Sequence, residues 1–571
     1  MKKYTFIVAA AFIAAVITGL FVFPQIWTTD QYPEDKVSLV VEGTITEEVL
    51  PPVLENGQLL LPVDTVKKYI DPNAFWDEKA GKAVFTTKDK VLVMKTGKLT
   101  AMVNARPVDL NIPARVINGT PYVPVQMLDT MFGIRLQWIE KNNVAVLDYR
   151  KNITRTAEVL KDNRSMRLKP TLWSPTVSKD IDKGEILRVF GENEKWYRVR
   201  SSDGFVGYIE KKYVRTELLP SVPDVTDQTG AVVPWKPDKG KINMTWEYVG
   251  NKGTDISKLK RIDGLDIVAP TWFTVADEKG TVLNKADNAY MQWAHKNGYK
   301  VWALTGNGAD PDVTHGFLNN TDTREKIIQQ LLIYAKLYKL DGINIDFENI
   351  YLKDRDMLTQ FMRELAPLLR EQGLVASMDV TFRSSSENWS MCYDRKALGG
   401  IVDYMAVMAY DQHYASSPVA GSVAELEWVE GNLQRILEEV PADKVLLGIP
   451  FYTRVWKEET VDGRLKVSSS AVSMAAVEKI LKEKKPEVIW KEASGQNYIE
   501  YKSGNVTNKV WIEDEKSINL KTSLVHKYNL AGAASWRKGF ESDGIWPVLR
   551  DNLKVKQDYT QWANANGVVT E

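Results

Sequence analysis

The sequence predicts a multidomain chain whose C-terminal part is a (β/α)8 barrel with a small α+β insertion, preceded by a small duplicated α+β module and a small all-β barrel. Three observations carry that expectation. Eight apolar strand-like runs alternate with amphipathic helical segments after Lys241. A stretch beginning at Asn56 recurs at Asn118, and a later stretch alternates apolar and polar residues around Ser202-Asp203-Gly204. The length of 571 residues allows several cores at roughly 150 residues each. A composition 44% hydrophobic and 26% charged excludes a largely disordered or multi-span chain.

At the amino terminus, Lys2 and Lys3 precede an uncharged run from Phe6 to Phe23, closed by Pro24 and the polar Thr28-Thr29-Asp30. This reads as an export segment over residues 1–29. Its length, and the lack of a small-x-small cleavage site between Leu20 and Trp27, favour an uncleaved signal anchor over a cleaved signal peptide. By the positive-inside rule everything from about Asp30 onward is extracytoplasmic, held to the membrane by an N-terminal helix or, if cut, secreted and wall-associated. Lys+Arg and Asp+Glu are both 74, so no global field attracts nucleic acid. Cys392 is the single cysteine, which rules out an internal disulfide. His295, His315, His413 and His526 form no paired ligand motif, so a histidine metal site is not expected.

Residues 36–150 carry the repeat: Asn56-Gly57, Pro62, Trp76 and Val84 return at one constant offset as Asn118-Gly119, Pro124, Trp138 and Val146. Each copy reads as an Asn-Gly turn, a short strand, a short helix and a strand pair. The pattern resembles the module named after the N-terminal domain of copper amine oxidases. No histidine precedes His295, so a copper role has negligible support and a spacer or wall-binding module is the better reading. Residues 152–216, with "WYRVRSSDGFVGYIEKKYV", resemble the bacterial SH3-like domain of wall-associated proteins. That resemblance implies contact with the cell wall and makes Trp196, Tyr197 and Tyr208 candidate ligand contacts, with core packing the competing role. Four prolines between Glu217 and Gly240 read as a stiff linker over 217–240.

The eight runs begin at Lys241, Gly264, Tyr299, Leu340, Leu374, Val402, Lys444 and Leu530, and a TIM barrel over 241–552 is their natural closure. Between the third and fourth runs, Asp322 is placed as a helix cap with Glu325 at N3, ahead of an apolar face of Ile327, Ile328, Leu331, Leu332 and Ala335. The long gap at about 455–520 contains its own helix near Ala471–Lys484 and strand runs around Val488, Tyr498 and Val510. Residues 553–571 read as a tail.

Functional side chains of such barrels sit at the carboxyl ends of strands. In the fourth run, "LDGINIDFENI", alternation sends Asn344, Asp346 and Glu348 to one face and Ile343, Ile345 and Phe347 to the other. An inward polar ladder is costly in a core. Burial beside a second carboxylate raises one pKa and keeps that acid protonated near neutrality, as a general acid requires.

The run matches the D-x-x-D-x-D-x-E signature of family-18 glycoside hydrolases, with Asp341, Asn344, Asp346 and Glu348 in its four places and Asn344 replacing the usual middle Asp. The variant is similar to that of spore-cortex and wall-associated N-acetylglucosaminidases. Tyr410 and Asp411 in "MAYD", Met408 before them, Trp536 on the eighth run, and Met378 with Asp379 on the fifth agree with the family pattern. The resemblance implies substrate-assisted retention on an N-acetylglucosamine-containing glycan, whether peptidoglycan, cortex glycan or chitin, with no cofactor. Glu348 would protonate the leaving oxygen while the acetamido carbonyl attacks the anomeric carbon. Asp346 would hold the acetamido N–H, Tyr410 its oxygen, and Trp536 would floor the sugar. Asn344 would orient Asp346 and Asp411 would brace the site. Tyr452, Arg454, Trp246 and Trp272 are candidate subsite walls. The competing reading is a catalytically silent glycan-binding protein, and the retained Glu348 speaks against it.

Overall fold

The computed structural model describes residues 28–47, 50–152, 154–219, 234–565 and 567. The apolar run Phe6–Phe23 lies outside them, and among the described residues no helix is long and apolar enough to cross a membrane. The chain divides into two compact units, residues 1–231 and 232–571.

In the first unit the repeat is structural. Asn56 and Asn118 both take φ near 50°, each followed by a glycine of positive φ, which is the backbone a two-residue hairpin turn demands. The outgoing strands Gln58–Pro62 and Thr120–Pro124 pair with each other antiparallel, so the two copies join through equivalent elements. Each then runs into a seven-residue helix, Val63–Tyr69 or Gln126–Phe132. Trp76 pairs with Ala83 and Trp138 with Ala145, the same register in both copies. One apolar cluster containing Leu61, Val66, Phe85, Val123, Leu128 and Leu147 serves the whole module.

The following strands, from Thr154–Val159 to Val214–Leu219, form a seven-stranded antiparallel arrangement with its own core. The expected hairpin joins Trp196–Arg200 to Val206–Glu210, and its turn rests on the repeat module. There the Tyr32 hydroxyl donates to Gly204 O at 2.6 Å, and Lys141 pairs with Asp203 at 2.7 Å. Gly204 has φ +87°, and a Cβ there would lie 2.6 Å from Val144 Cγ1, so only glycine fits on both counts. Trp196 and Tyr197 are buried. Tyr197 belongs to the core cluster and its hydroxyl accepts from Arg155 at 3.1 Å, which leaves only the half-buried Tyr208 as an open ring among the three candidates.

In the second unit the eight expected runs become eight parallel strands, Ile242–Glu247, Ile267–Val275, Lys300–Gly306, Gly342–Asp346, Val375–Thr381, Tyr404–Met408, Val445–Pro450 and Gly532–Trp536. Each pairs with the next, and the first pairs with the eighth, closing the barrel. The interior holds Met244, Trp246, Ala269, Trp302, Leu304, Tyr404, Ala406, Leu446 and Ala534. At Gly342 a Cβ would lie 2.8 Å from both Trp302 Cδ1 and Val375 O, so the glycine makes room for the tryptophan.

Four details differ from expectation. The helix Thr321–Tyr338 is capped by Asn320, whose side chain accepts from the Asp322 and Thr323 amides, two residues before the expected cap. Trp235, assigned to the linker, packs against the barrel core and its carbonyl accepts from the Tyr404 hydroxyl at 2.7 Å. The region read as a tail forms a helix, Tyr559–Ala565, with Trp562 and Ala563 buried. The insertion adds to the expected helix (Met474–Lys484) and strands a long hairpin, Tyr452–Val461 with Arg464–Ser473, in a five-stranded antiparallel sheet.

Candidate active site

Strand four ends at Asp346, and the ladder read from its alternation points inward. Asn344 is fully buried, while Asp346 and Glu348 are half-buried. Glu348 lies just past the strand and is held through its backbone. Asn307, at the end of strand three, accepts from Glu348 N at 3.0 Å and donates to Glu348 O at 2.7 Å. One residue earlier, Phe347 O accepts from the buried Tyr393 hydroxyl at 2.8 Å, and the Phe347 ring packs against Phe317 and Phe361. These contacts fix where the acid side chain starts and leave the carboxyl itself for chemistry.

The electrostatics follow from crowding acids in a dry place. Burial, reinforced by Asp346 and Asp411, pushes the Glu348 carboxyl up to about 8. Burial and then the neighbouring Asp379 raise Asp346 well above the usual carboxylate range, and Asp346 Oδ1 is buried with no hydrogen-bond partner. Burial and the neighbouring Tyr452, Asp379, Asp346 and Glu348 raise the Tyr410 hydroxyl, so it remains a hydrogen-bond donor. Asp411 follows it in the left-handed region at φ +59° and accepts from the Tyr452 hydroxyl at 2.6 Å. The Arg454 guanidinium lies 3.7 Å from the same carboxylate. Trp536, half-buried at the end of strand eight, meets Trp246 edge to face at 6.2 Å. Met408, also half-buried, ends strand six.

Asn344, Asp346, Glu348, Tyr410, Asp411, Tyr452, Arg454, Met408 and Trp536 are thus gathered at the carboxyl end of the barrel. Five assignments change. Asn344 turns its polar atoms to strand five and not to Asp346: its Nδ2 donates to Asp379 Oδ2 at 2.7 Å and its Oδ1 accepts from Ser377 at 2.7 Å. Trp246 is buried under the site, donating Nε1 to Asp379 Oδ2 at 3.1 Å, and offers no wall to a ligand. Trp272 packs against Tyr290 and Tyr338 in the helix layer, because alternation from the inward Ile267 and Ala269 sends even-numbered residues of this strand outward. Met378 is fully buried on the outward face, between Ser377 and Asp379. Asp341 precedes strand four at the opposite end of the barrel, where it binds Lys300 Nζ at 2.8 Å, His295 at 2.9 Å and the Val301 amide at 3.0 Å. It ties strands rather than substrate.

Asn307 is an addition, and Asp379, which agrees with the family pattern beside Met378, gains its contacts from the fold. The signal for Asn307 was a polar residue directly after "LTG" of strand three. Among the described residues no cluster of His, Cys, Asp and Glu is arranged to hold a metal.

The family model for "Glycosyl hydrolases family 18" matches residues 242–540. Models for "Copper amine oxidase N-terminal domain" and "Bacterial SH3 domain" match 40–147 and 161–215. An uncharacterized glycosylase of Bacillus subtilis, YvbX, is 28% identical over 49% of this chain and 83% of its own length. The cortical fragment-lytic enzyme of B. subtilis is 26% identical over 42% of this chain and 56% of its own length, so only about half of that relative is spanned. The crystal structure of the Bacillus megaterium spore cortex-lytic enzyme SleL shares the fold, with a TM-score of 0.50 at 20% identity over 65% of this chain and 89% of that one. With the barrel model covering more than half of its sequence, the chain belongs to glycosyl hydrolase family 18.

Proposed function

We propose that the chain is an exported β-N-acetylglucosaminidase that cleaves peptidoglycan or spore-cortex glycan by a substrate-assisted, retaining mechanism. The observation that carries the reading is the pairing of a Glu348 carboxyl pushed up to about 8 with an adjacent Asp346 that has a buried, unpartnered oxygen and a half-exposed face. Glu348, neutral at pH 7, protonates the glycosidic oxygen as the bond to the anomeric carbon breaks. The acetamido carbonyl of the same sugar forms the new bond to that carbon, giving an oxazolinium ion. Asp346 holds the acetamido N–H and balances the positive charge, and the Tyr410 hydroxyl donates to the acetamido oxygen. Glu348, now a carboxylate, takes a proton from water as it opens the ring from the face the leaving group vacated, and configuration is retained.

Peptidoglycan is favoured over chitin by the bacterial SH3 domain and by the similarity to cortical fragment-lytic enzymes. The lysine-flanked apolar run Phe6–Phe23 supports export to the compartment where such glycans lie. The test is to incubate the wild-type protein and Glu348→Gln with peptidoglycan, cortex glycan and N-acetylglucosamine oligomers and to identify products by mass spectrometry. Fragments with a reducing-end N-acetylglucosamine, absent with the variant, are expected. Equal turnover by both proteins would overturn the mechanism, and glycan binding without any product would move the reading to a silent binding protein.

A further inference from the structure

Strands four and five are parallel neighbours, with Asn344 beside Ser377 and Ile345 beside Met378. One step further along the same register, Asp346 stands beside Asp379. Alternation sends both side chains inward, and adjacent strands are about 4.8 Å apart. Asp379 is 2% exposed. Its Oδ2 is doubly served, by Asn344 Nδ2 at 2.7 Å and Trp246 Nε1 at 3.1 Å, while its Oδ1 is buried and has no partner. Asp346 Oδ1 is buried and unpartnered as well. Two carboxylates on neighbouring strands of a dry core, each with a bare buried oxygen, repel each other, and one proton held between them removes the repulsion and satisfies both oxygens at once.

We propose that Asp379 is a positioning residue that shares one proton with Asp346, taking over from strand five the proton-holding place that the amide of Asn344 cannot fill on strand four. The proton lies between Asp346 Oδ1 and Asp379 Oδ1, and the pair carries a single negative charge throughout. When positive charge develops on the oxazolinium, the proton moves fully to Asp379 Oδ1 and Asp346 becomes the anion that faces the sugar. The bond broken is O–H on Asp346 and the bond formed is O–H on Asp379, so no other reactant is needed. Asn344 has a different duty: its two polar atoms are committed to Asp379 and Ser377, which fixes the orientation of Asp379. Burial and the proximity of Glu348 raise Asp379 well above the usual range, whereas the two donors on Oδ2 act in the opposite direction.

The inference rests on the catalytic reading of Asp346 and Glu348, and the experiment separates the two. Steady-state kinetics on N-acetylglucosamine oligomers are measured for wild type, Glu348→Gln, Asp379→Asn and the double variant Asn344→Asp/Asp379→Asn. Absence of turnover by wild type would remove the functional reading itself. With wild type active, Asp379→Asn is expected to lower kcat about a hundredfold, in the range for loss of a positioned proton carrier, with KM changed less than threefold. The double variant returns a carboxylate to strand four, keeps an amide–carboxylate contact between the two strands, and is expected to recover at least tenfold of the lost kcat. A purely structural role for Asp379 gives no such recovery. A kcat for Asp379→Asn within threefold of wild type would overturn the proposal, as would a folded double variant no faster than the single one. If Asp379→Asn alone does not fold, the double variant is compared with wild type directly: at least a tenth of wild-type kcat supports the shared proton, and less than a thousandth overturns it.

Discussion

A carboxyl that must be neutral to work imposes a direction on pH dependence. Glu348 is a proton donor below about 8 and an anion above it, so turnover is expected to fall as pH rises through that value. A pH–rate profile of kcat/KM checks the limb. The same shift couples to folding. Because its folded pKa lies above its unfolded one, the stability contribution of Glu348 is fully present below about 4.5 and is lost as pH rises toward about 8, at no more than about 1.4 kcal/mol per pH unit. Glu348→Gln carries no charge at either end of that window. Its unfolding temperature relative to wild type is therefore expected to increase between pH 5 and pH 9, and scans at both pH values decide it. The ladder of strand four was legible in the sequence because period-two alternation needs only the residue order. Its partners were not. That Asn344 turns sideways to Asp379, and not along the strand to Asp346, depends on the register of a strand thirty-odd residues away.

Elements differ in how much of themselves they reveal. The hairpin turns at Asn56-Gly57 and Asn118-Gly119 were readable because few residue pairs accept two positive φ values in a row, and the turn at Ser202-Asp203-Gly204 because its glycine alone takes a positive φ. Asp462-Gly463 takes the same positive φ values between the two long strands of the insertion, but the polar residues flanking it hide the apolar alternation that marks a hairpin. Buried parallel strands are apolar on both faces, so sequence alone does not say which face is inward. Trp272, a candidate subsite wall, and Met378, placed by the family pattern, are turned by the fold toward the helices. Two substitutions test packing at this scale. Gly342→Ala is expected to destabilise by about 1–3 kcal/mol, since its methyl group meets Trp302 and a carbonyl that is fixed in the sheet. Arg324 and Glu364 form a fully buried pair at 2.8 Å between the helices Thr321–Tyr338 and Arg355–Glu371. Glu364→Ala removes the carboxylate that balances this buried guanidinium's charge and is expected to cost about 3–5 kcal/mol in denaturant unfolding.

For the whole molecule, the division of labour is between a barrel that contains every residue assigned to catalysis and an N-terminal unit that contains none. Removing residues 28–231 is expected to leave kcat/KM on soluble N-acetylglucosamine oligomers within twofold of the full chain while sedimentation with peptidoglycan sacculi falls. An equal loss in both assays would assign the N-terminal unit a part in the catalytic step. Domain order was legible from composition and repeats, but the edges were not. Trp235 and Trp562, read as linker and tail, are packed parts of the second unit, because a single aromatic in a polar stretch gives no periodic signal.

The sheet inserted after strand seven begins at Tyr452, two residues beyond the last barrel residue, and its first strand is tied back to the loop after strand six. Tyr452 reaches Asp411, and Trp456 Nε1 donates to Gly421 O at 2.8 Å. Ser469, on the returning strand, donates to Ala415 O at 3.1 Å. One flank of the mouth is therefore an appendage with its own small core of Val455, Val477, Ile499 and Val510. A change in the length or tilt of that flank would alter how much of the mouth is walled, while the strand bearing Glu348 keeps every one of its neighbours.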